Sequence, residues 1–310
     1  MTFGLRIVVV AFAAFAASGL VGALVAWLWV RRTQGAPLTD TTLLFQRLLP
    51  TLCGVGATSL GLLAFVLFEP RGPEETGLVL RALAGLGAVL LATAAWRGFR
   101  LYRRTRRTVR QWMASAEEVV LPGIDTPIFA VSAAFPIVAV VGLVRQRVII
   151  ARSVVEACSA DEVGAILAHE QIHIDRYDNV RRAMLTVAPD LLSWLPLSDR
   201  LLDAWHERCE ESADTGAGRL GERGRVLLAQ ALIRVARLAP APTAVHDLPA
   251  SALYRGEDLG RRIHRLLAPP IVATAPQRMI HYAVALGILT SLLALRPIHD
   301  VVEAAVTWLP

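Results

Sequence analysis

The chain contains no lysine: all 32 of its basic residues are arginine. Schiff-base catalysis and SxxK-type acyl-enzyme chemistry both need a lysine amine, so both are excluded. Cysteine is scarce as well. Cys53, Cys158 and Cys209 make no paired framework, and an odd count suits a reducing, cytoplasmic side. No Gly-rich phosphate loop or internal repeat stands out, which argues against a nucleotide-driven machine. Acidic residues number only 26, leaving a formal net charge of +6.

What is abundant is apolar surface. Hydrophobic residues make up 55% of the chain, concentrated in long runs. Three runs, Leu5 to Val30, Leu48 to Phe68 and Leu78 to Trp96, each approach the ~20 residues that cross a bilayer as helix. A fourth, Met279 to Leu295, is shorter but nearly uninterrupted, with His281 near its start. The first run is too long for a signal-peptide core. It also ends in Trp27, Trp29 and the pair Arg31, Arg32, an interfacial anchor with a charged flank, so it reads as a span.

The arginines set the orientation. Arg97, Arg100, Arg103, Arg104, Arg106, Arg107 and Arg110 follow the third run, and basic residues beside spans stay in the cytoplasm. Arg31, Arg32 and Arg47 place the first loop inside, while the loop EPRGPEET is acidic and reads as external. A juxtamembrane basic helix against anionic lipid headgroups explains the tract without a nucleic-acid partner. The apolar stretch Pro127 to Val144 would reverse this topology if it spanned. It reads instead as buried β-structure: Pro136 interrupts it, β-branched residues dominate Ile137 to Val141, and Val148 to Ile150 resume after a Gly-containing, Arg-flanked turn.

The stretch AHEQIHIDRYDN carries the chemistry. His169 and His173, four apart, differ by about 40° around a helix, so both imidazoles face one point where a metal ion can take both. Glu170 lies beside that point, where a carboxylate can take a proton from an attacking water. A surface helix with two histidines and an acid is the competing reading. The context favours the metal: Ser159 and Glu162 form a capping box, and Val163, Ile166, Leu167 and Ile174 supply an apolar stripe for a helix starting near Ala160.

A third ligand is expected from LLDAWHERCEESADTGAG, a helical pattern after a turn around Pro189 to Pro196. Glu207, Glu210 and Glu211 are candidates. Glu210 is favoured because it pairs with Asp214 four residues on, so that Glu210 can bind metal while Asp214 holds a ligand histidine in the right tautomer. Glu207 and Glu211 read as solvated charges. Cys209 points about 100° from Glu210 and reads as packing.

At these residues the chain resembles a family. HEQIHIDRYD fits HExxHxxxxD, ending at Asp178, and EESAD fits ExxAD, patterns of membrane-embedded gluzincin peptidases. Two branches share them: the heat-shock and CAAX-prenyl endopeptidases, and the penicillinase and methicillin-resistance sensor-transducers. Three spans, a basic cytoplasmic segment, the peptidase and one more span resemble the second branch, as does LGRRIHRLL with Arg262 and Ile263. Sensor-transducers continue after the last span into an extracellular penicillin-binding domain, whereas only PIHDVVEAAVTWLP follows here, so direct β-lactam sensing is not expected. The tail reads as a short helix on the outer membrane surface.

The resemblance implies Zn2+ held by His169, His173 and Glu210, with Glu170 as general base, Asp214 and Asp178 supporting the ligands, and a substrate extended along the Ile137 to Val141 strand. His206, His246, Tyr254, His264 and Arg262 are candidates to stabilise the oxyanion or position substrate. The expected fold is mainly α: three transmembrane helices in 1–96, a basic linker in 97–125, an α+β zincin domain in 126–278, and a fourth span with an external tail in 279–310. The expected function is a multi-pass zinc endopeptidase of a bacterial plasma membrane, its active site cytoplasmic and both termini external. Its substrate would be a protein or peptide, a transcriptional regulator in a signalling circuit. Membrane-protein quality control and a catalytically silent scaffold are the alternatives. Membrane lipid is the other expected partner, nucleic acid is not, and a homodimer is left open.

Overall fold

The computed structural model describes residues 2–68, 76–121, 124–133, 135–217, 221–238 and 259–268. The expected fourth span, the tail, the acidic loop around Pro73, and His246, Tyr254 and His281 lie outside the described residues. The chain is mainly helical and divides into two compact units. The first joins Met1–Gly98 to Leu185–Ala204; the second joins Phe99–Met184 to the described residues from Trp205 on.

In the first unit, α1 (Phe3–Arg32), α2 (Asp40–Phe68) and the start of α3 (Leu78–Met113) are the three described helices long and apolar enough to cross a membrane. Arg31 stacks its guanidinium 3.9 Å from the Trp27 ring centre at the end of α1, the aromatic-cation pairing that suits a bilayer interface. The short 3-10 turn η1 (Leu191–Trp194) also belongs to this unit.

The sequence boundaries differ from this division in two places. The basic stretch after Trp96 is not a separate linker, because α3 runs unbroken through it to Met113. Apolar residues every three to four positions keep it helical: Val109, Trp112 and Met113 pack against Val131, Val141 and Ile149 of the sheet in the second unit. Residues 185–204, expected inside the peptidase domain, group with the first unit.

The second unit is built on a four-stranded mixed sheet, β1 (Glu117–Val119), β2 (Ile128–Val131), β3 (Val138–Val141) and β4 (Arg147–Ala151), in the order β1-β2-β4-β3. β2 and β4 are parallel, and β3 closes an antiparallel hairpin on β4 with Val140 opposite Val148. The stretch expected to be buried β-structure is therefore β2 and β3, interrupted before Ile137 as Pro136 requires. The hairpin turn depends on Gly142: its φ is +99°, and a Cβ there would collide with the Arg145 carbonyl. One face of the sheet packs on α5 (Ala160–Asp175) and α8 (Gly221–Leu238), with Val138, Val140, Val148 and Ile150 meeting Ile166, Leu167, Leu228 and Leu232. The short α4 (Arg152–Ala157) leads from β4 toward α5.

Candidate metal centre

α5 begins where the capping box places it. Glu162 N–H donates to Ser159 Oγ at 3.2 Å, and Ser159 N–H returns the bond to Glu162 Oε2 at 2.7 Å. Val163, Ile166 and Leu167 face the core. That fixes the rotation of the helix and carries His169 and His173 to its far end. The Nε2 atoms of the two histidines stand 3.3 Å apart.

The third group comes from α7 (Pro196–Ala217). Glu210 Oε2 lies 3.7 Å from His169 Nε2, and Glu210 Oε1 lies 3.6 Å from His173 Nε2. These three residues form the one metal-competent cluster among the described residues. Donor atoms about 2.0–2.1 Å from a tetrahedral zinc stand about 3.3–3.4 Å from each other, so the spacings of 3.3 to 3.7 Å fit such an ion. α7 approaches α5 closely because of Gly216, where a Cβ would overlap the Ile172 side chain. Nothing in the local sequence pattern flagged that glycine.

Each ligand is held from behind. Asp214 Oδ1 lies 3.1 Å from His169 Nδ1, close but off the line of a good hydrogen bond, and Asp178 Oδ2 lies 2.8 Å from His173 Nδ1. A carboxylate beside each Nδ1 favours the proton there and turns the Nε2 lone pair to the common point. Asp178 reaches its histidine because Tyr177, at φ +53°, turns the chain sharply between α5 and α6 (Asp178–Val187).

Arg262 of α9 (Leu259–Leu267) has a different place from the one expected of a substrate helper. It is 5% exposed and sits behind the ligands, with Nη1 3.1 Å from Glu210 Oε2, and Nη2 and Nε 2.6 and 3.2 Å from the two Asp214 oxygens. It therefore braces the ligand helix instead of facing substrate. Its signal in LGRRIHRLL was legible in principle: Arg262 shares a helical face with Leu259 and Leu266, and a buried arginine demands acidic partners.

The electrostatics follow from these pairs. Burial raises the pKa of Glu170, with His173 and His169 offsetting only part of it. Burial favours protonated forms of Glu210 and Asp214 too, but Arg262 and the histidines outweigh it, and both carboxyls titrate below their usual range. For His173, burial opposes the cation, yet the Asp178 hydrogen bond and the charges of Glu210 and Glu170 prevail and lift the pKa to about 9. A proton is thus the natural competitor for the metal position.

Glu170 is 1% exposed, and its Oε2 has no hydrogen-bond partner. An orphaned carboxylate oxygen is costly unless something polar is meant to meet it. Glu170 lines a cleft with His173, Glu210, Val140, Trp205 and His206. His206 thus reaches the cleft, where Arg182 donates to its Nε2 at 2.6 Å; Arg182 and Asn179 were not singled out in the sequence. Asn179 bonds the carbonyls of Val140 and Gly142 and so ties the start of α6 to the edge strand β3. Among the rest, Glu207 pairs with Arg261 and Arg265, Glu211 pairs with Arg208, and His264 is exposed. Cys209 is buried in the cleft wall, in keeping with the packing role expected from its offset of about 100° from Glu210 around α7.

No family model matches the chain, and no curated protein is significantly similar to it.

Proposed function

We propose that the chain is an integral-membrane zinc-dependent endopeptidase that cuts a protein substrate on the cytoplasmic side of a bacterial plasma membrane, a transcriptional regulator in a signalling circuit. The observation that carries this reading is the convergence of His169, His173 and Glu210 at ligand spacing beside a buried carboxylate with a free oxygen. The cytoplasmic placement is supported by the seven arginines between Arg97 and Arg110.

The residues divide the work. His169, His173 and Glu210 would hold Zn2+, and a bound zinc ion polarises the scissile carbonyl and makes water nucleophilic near neutral pH. Glu170 accepts a proton at Oε2 from the attacking water and returns it to the departing amine nitrogen. Its burial suits it to that exchange, because a carboxylate with a raised pKa is the better base. Asp214 and Asp178 keep the protons of both imidazoles on Nδ1. Arg262 prevents Glu210 from swinging away, and Val140 and Trp205 exclude bulk water from the cleft wall.

The test is a comparison of protein N-termini in cells carrying the native chain and cells carrying Glu170→Gln. New N-termini on a cytoplasmic protein, present only with the native chain, are expected. Identical N-termini in the two strains would overturn the enzymatic reading.

A further inference from the structure

The cleft beside the metal cluster has a second layer of polar groups, and every residue that lines it belongs to the second unit. On α6, Arg182 lies one helical turn beyond Asp178; on α7, His206 lies one turn before Glu210. At one level Asp178 supports His173 and Glu210 joins the cluster. At the next, Arg182 Nη2 donates to His206 Nε2 at 2.6 Å. Four residues of helix rise about 6 Å, so this bond holds the half-buried guanidinium about 6 Å along the helices from the level of the cluster.

The carboxylates beside the cluster have cations close by. Asp178 has Arg176 and Arg181, at 3.4 and 3.7 Å, and Glu210 has Arg262 at 3.1 Å. The bond from Arg182 goes to an imidazole, which brings no negative charge of its own, and the wall of a cleft shields that positive charge less than open water does.

Trp205 supplies an independent observation. It is 1% exposed, it lines the same cleft, and its Nε1–H has no hydrogen-bond partner among the described residues. A buried indole donor is ordinarily bonded, so this wall offers a donor to an incoming acceptor. Two donors, one of them cationic, suit the two oxygens of a carboxylate better than one neutral carbonyl, because charge-assisted bonds are roughly twice as strong as neutral ones. An extended peptide advances about 3.3 Å per residue. A carboxylate about 6 Å from a carbonyl at the cluster therefore belongs to an acidic side chain one or two positions from it.

Building on the endopeptidase reading, we infer that Arg182 and Trp205 receive the carboxylate of a substrate aspartate or glutamate within two positions of the scissile bond. Arg182 is then a specificity-determining residue, and the substrate class is a polypeptide with an acidic residue beside its cleavage site.

The experiment uses the full chain in detergent, loaded with zinc and carrying Glu170→Gln so that bound peptide is not consumed. Its probes are two randomised, amidated, fluorescein-labelled peptide pools, identical except that one has glutamate where the other has glutamine, and anisotropy reads binding. The glutamate pool should bind about tenfold more tightly. Arg182→Gln should bring the ratio of the two affinities to about one, and Trp205→Phe, which keeps a ring and drops the donor, should lower it about threefold. A guanidinium that only ties α6 to α7 would weaken both pools alike and leave the ratio unchanged. If Arg182→Gln does not accumulate folded, Arg182→Lys reads the same ratio, which should fall about threefold as the planar fork is lost. Equal binding of the two pools, or a ratio that no Arg182 variant changes, overturns the inference. So does tight binding only by pools with a free C-terminus, which would assign the carboxylate to a chain end. The native chain, with Glu170 in place, is then given both pools: cleavage of neither overturns the endopeptidase reading, while the affinity ratio still decides the carboxylate site.

Discussion

Arg262 Nη1 lies 3.1 Å from Glu210 Oε2, which ties the third residue of the metal-competent cluster to a buried cation on a separate helix. The same guanidinium grips Asp214, the support of His169. Arg262→Met would leave two buried carboxylates uncompensated, at a cost of about 3–5 kcal/mol of the kind seen when one partner of a buried pair is removed. Zinc affinity should fall with it. Arg262→Lys should rescue only part, because an ammonium cannot span both acids as a planar fork does. If the methionine variant keeps full zinc affinity and thermal stability, the brace has no role.

Glu170 and the histidines should fail in different ways. Glu170→Gln removes the base and leaves every ligand, so zinc should copurify at native stoichiometry while peptide cleavage falls by about 10²-fold or more. His169→Ala and His173→Ala should lose both. Metal analysis and cleavage assays on the same preparations decide this, and stoichiometric zinc in the double histidine variant would remove the site assignment.

Much of this centre was legible because its signals are local. The capping box at Ser159 and Glu162 sets the start of α5, the four-residue spacing of His169 and His173 gives the shared face, and Glu210 with Asp214 repeats that spacing on α7. The β reading of Ile137 to Val141 rested on branched residues and a proline, also local. What was not legible depends on contacts across long sequence separations. Arg262 meets Asp214 across 48 positions, and Arg47 meets Asp190 across 143, distances over which no periodicity speaks. For the same reason residues 185–204 were assigned to the peptidase domain instead of the unit they pack in.

Gly216 sets how closely α7 approaches α5. In Gly216→Val, branched carbons must enter space filled by Ile172, forcing the helices apart or the isoleucine out of its rotamer, at about 1–3 kcal/mol. The effect should appear as weaker zinc binding as well as lower stability, since Glu210 lies on the displaced helix. Pairing it with Ile172→Ala should restore most of both. A double variant no better than the single would show that the contact does not set the helix spacing.

Zinc affinity should depend on pH through His173. Its pKa in the metal-free fold is raised from 6.5 to about 9, so the proton stabilises that fold most fully below the ordinary histidine range, and this stabilisation is lost as pH rises through about 9. Zinc must displace that proton. Its affinity should rise about tenfold per pH unit from pH 7 and level off near pH 9. Competition titrations against a chelator of known proton affinity measure the slope, and a flat response between pH 7 and 8.5 would take His173 out of the ligand set.

If the proposed peptidase reading holds, topology decides which proteins the cleft can reach. In a chain with Cys53, Cys158 and Cys209 replaced by alanine, single cysteines at Gln34, Gln111 and Val144 should react with a membrane-impermeant maleimide only after permeabilisation, and one at Pro73 should react in intact cells. Val144 is the sharpest probe, being 86% exposed at the tip of the β3–β4 hairpin, so a negative result there reports sidedness and not burial. The expectation rests on the arginine-dense continuation of α3, because carrying seven guanidinium groups across a bilayer is prohibitive. Labelling of Val144→Cys in intact cells would put the cleft outside. A cytoplasmic regulator could then no longer be the substrate, whatever the metal centre does.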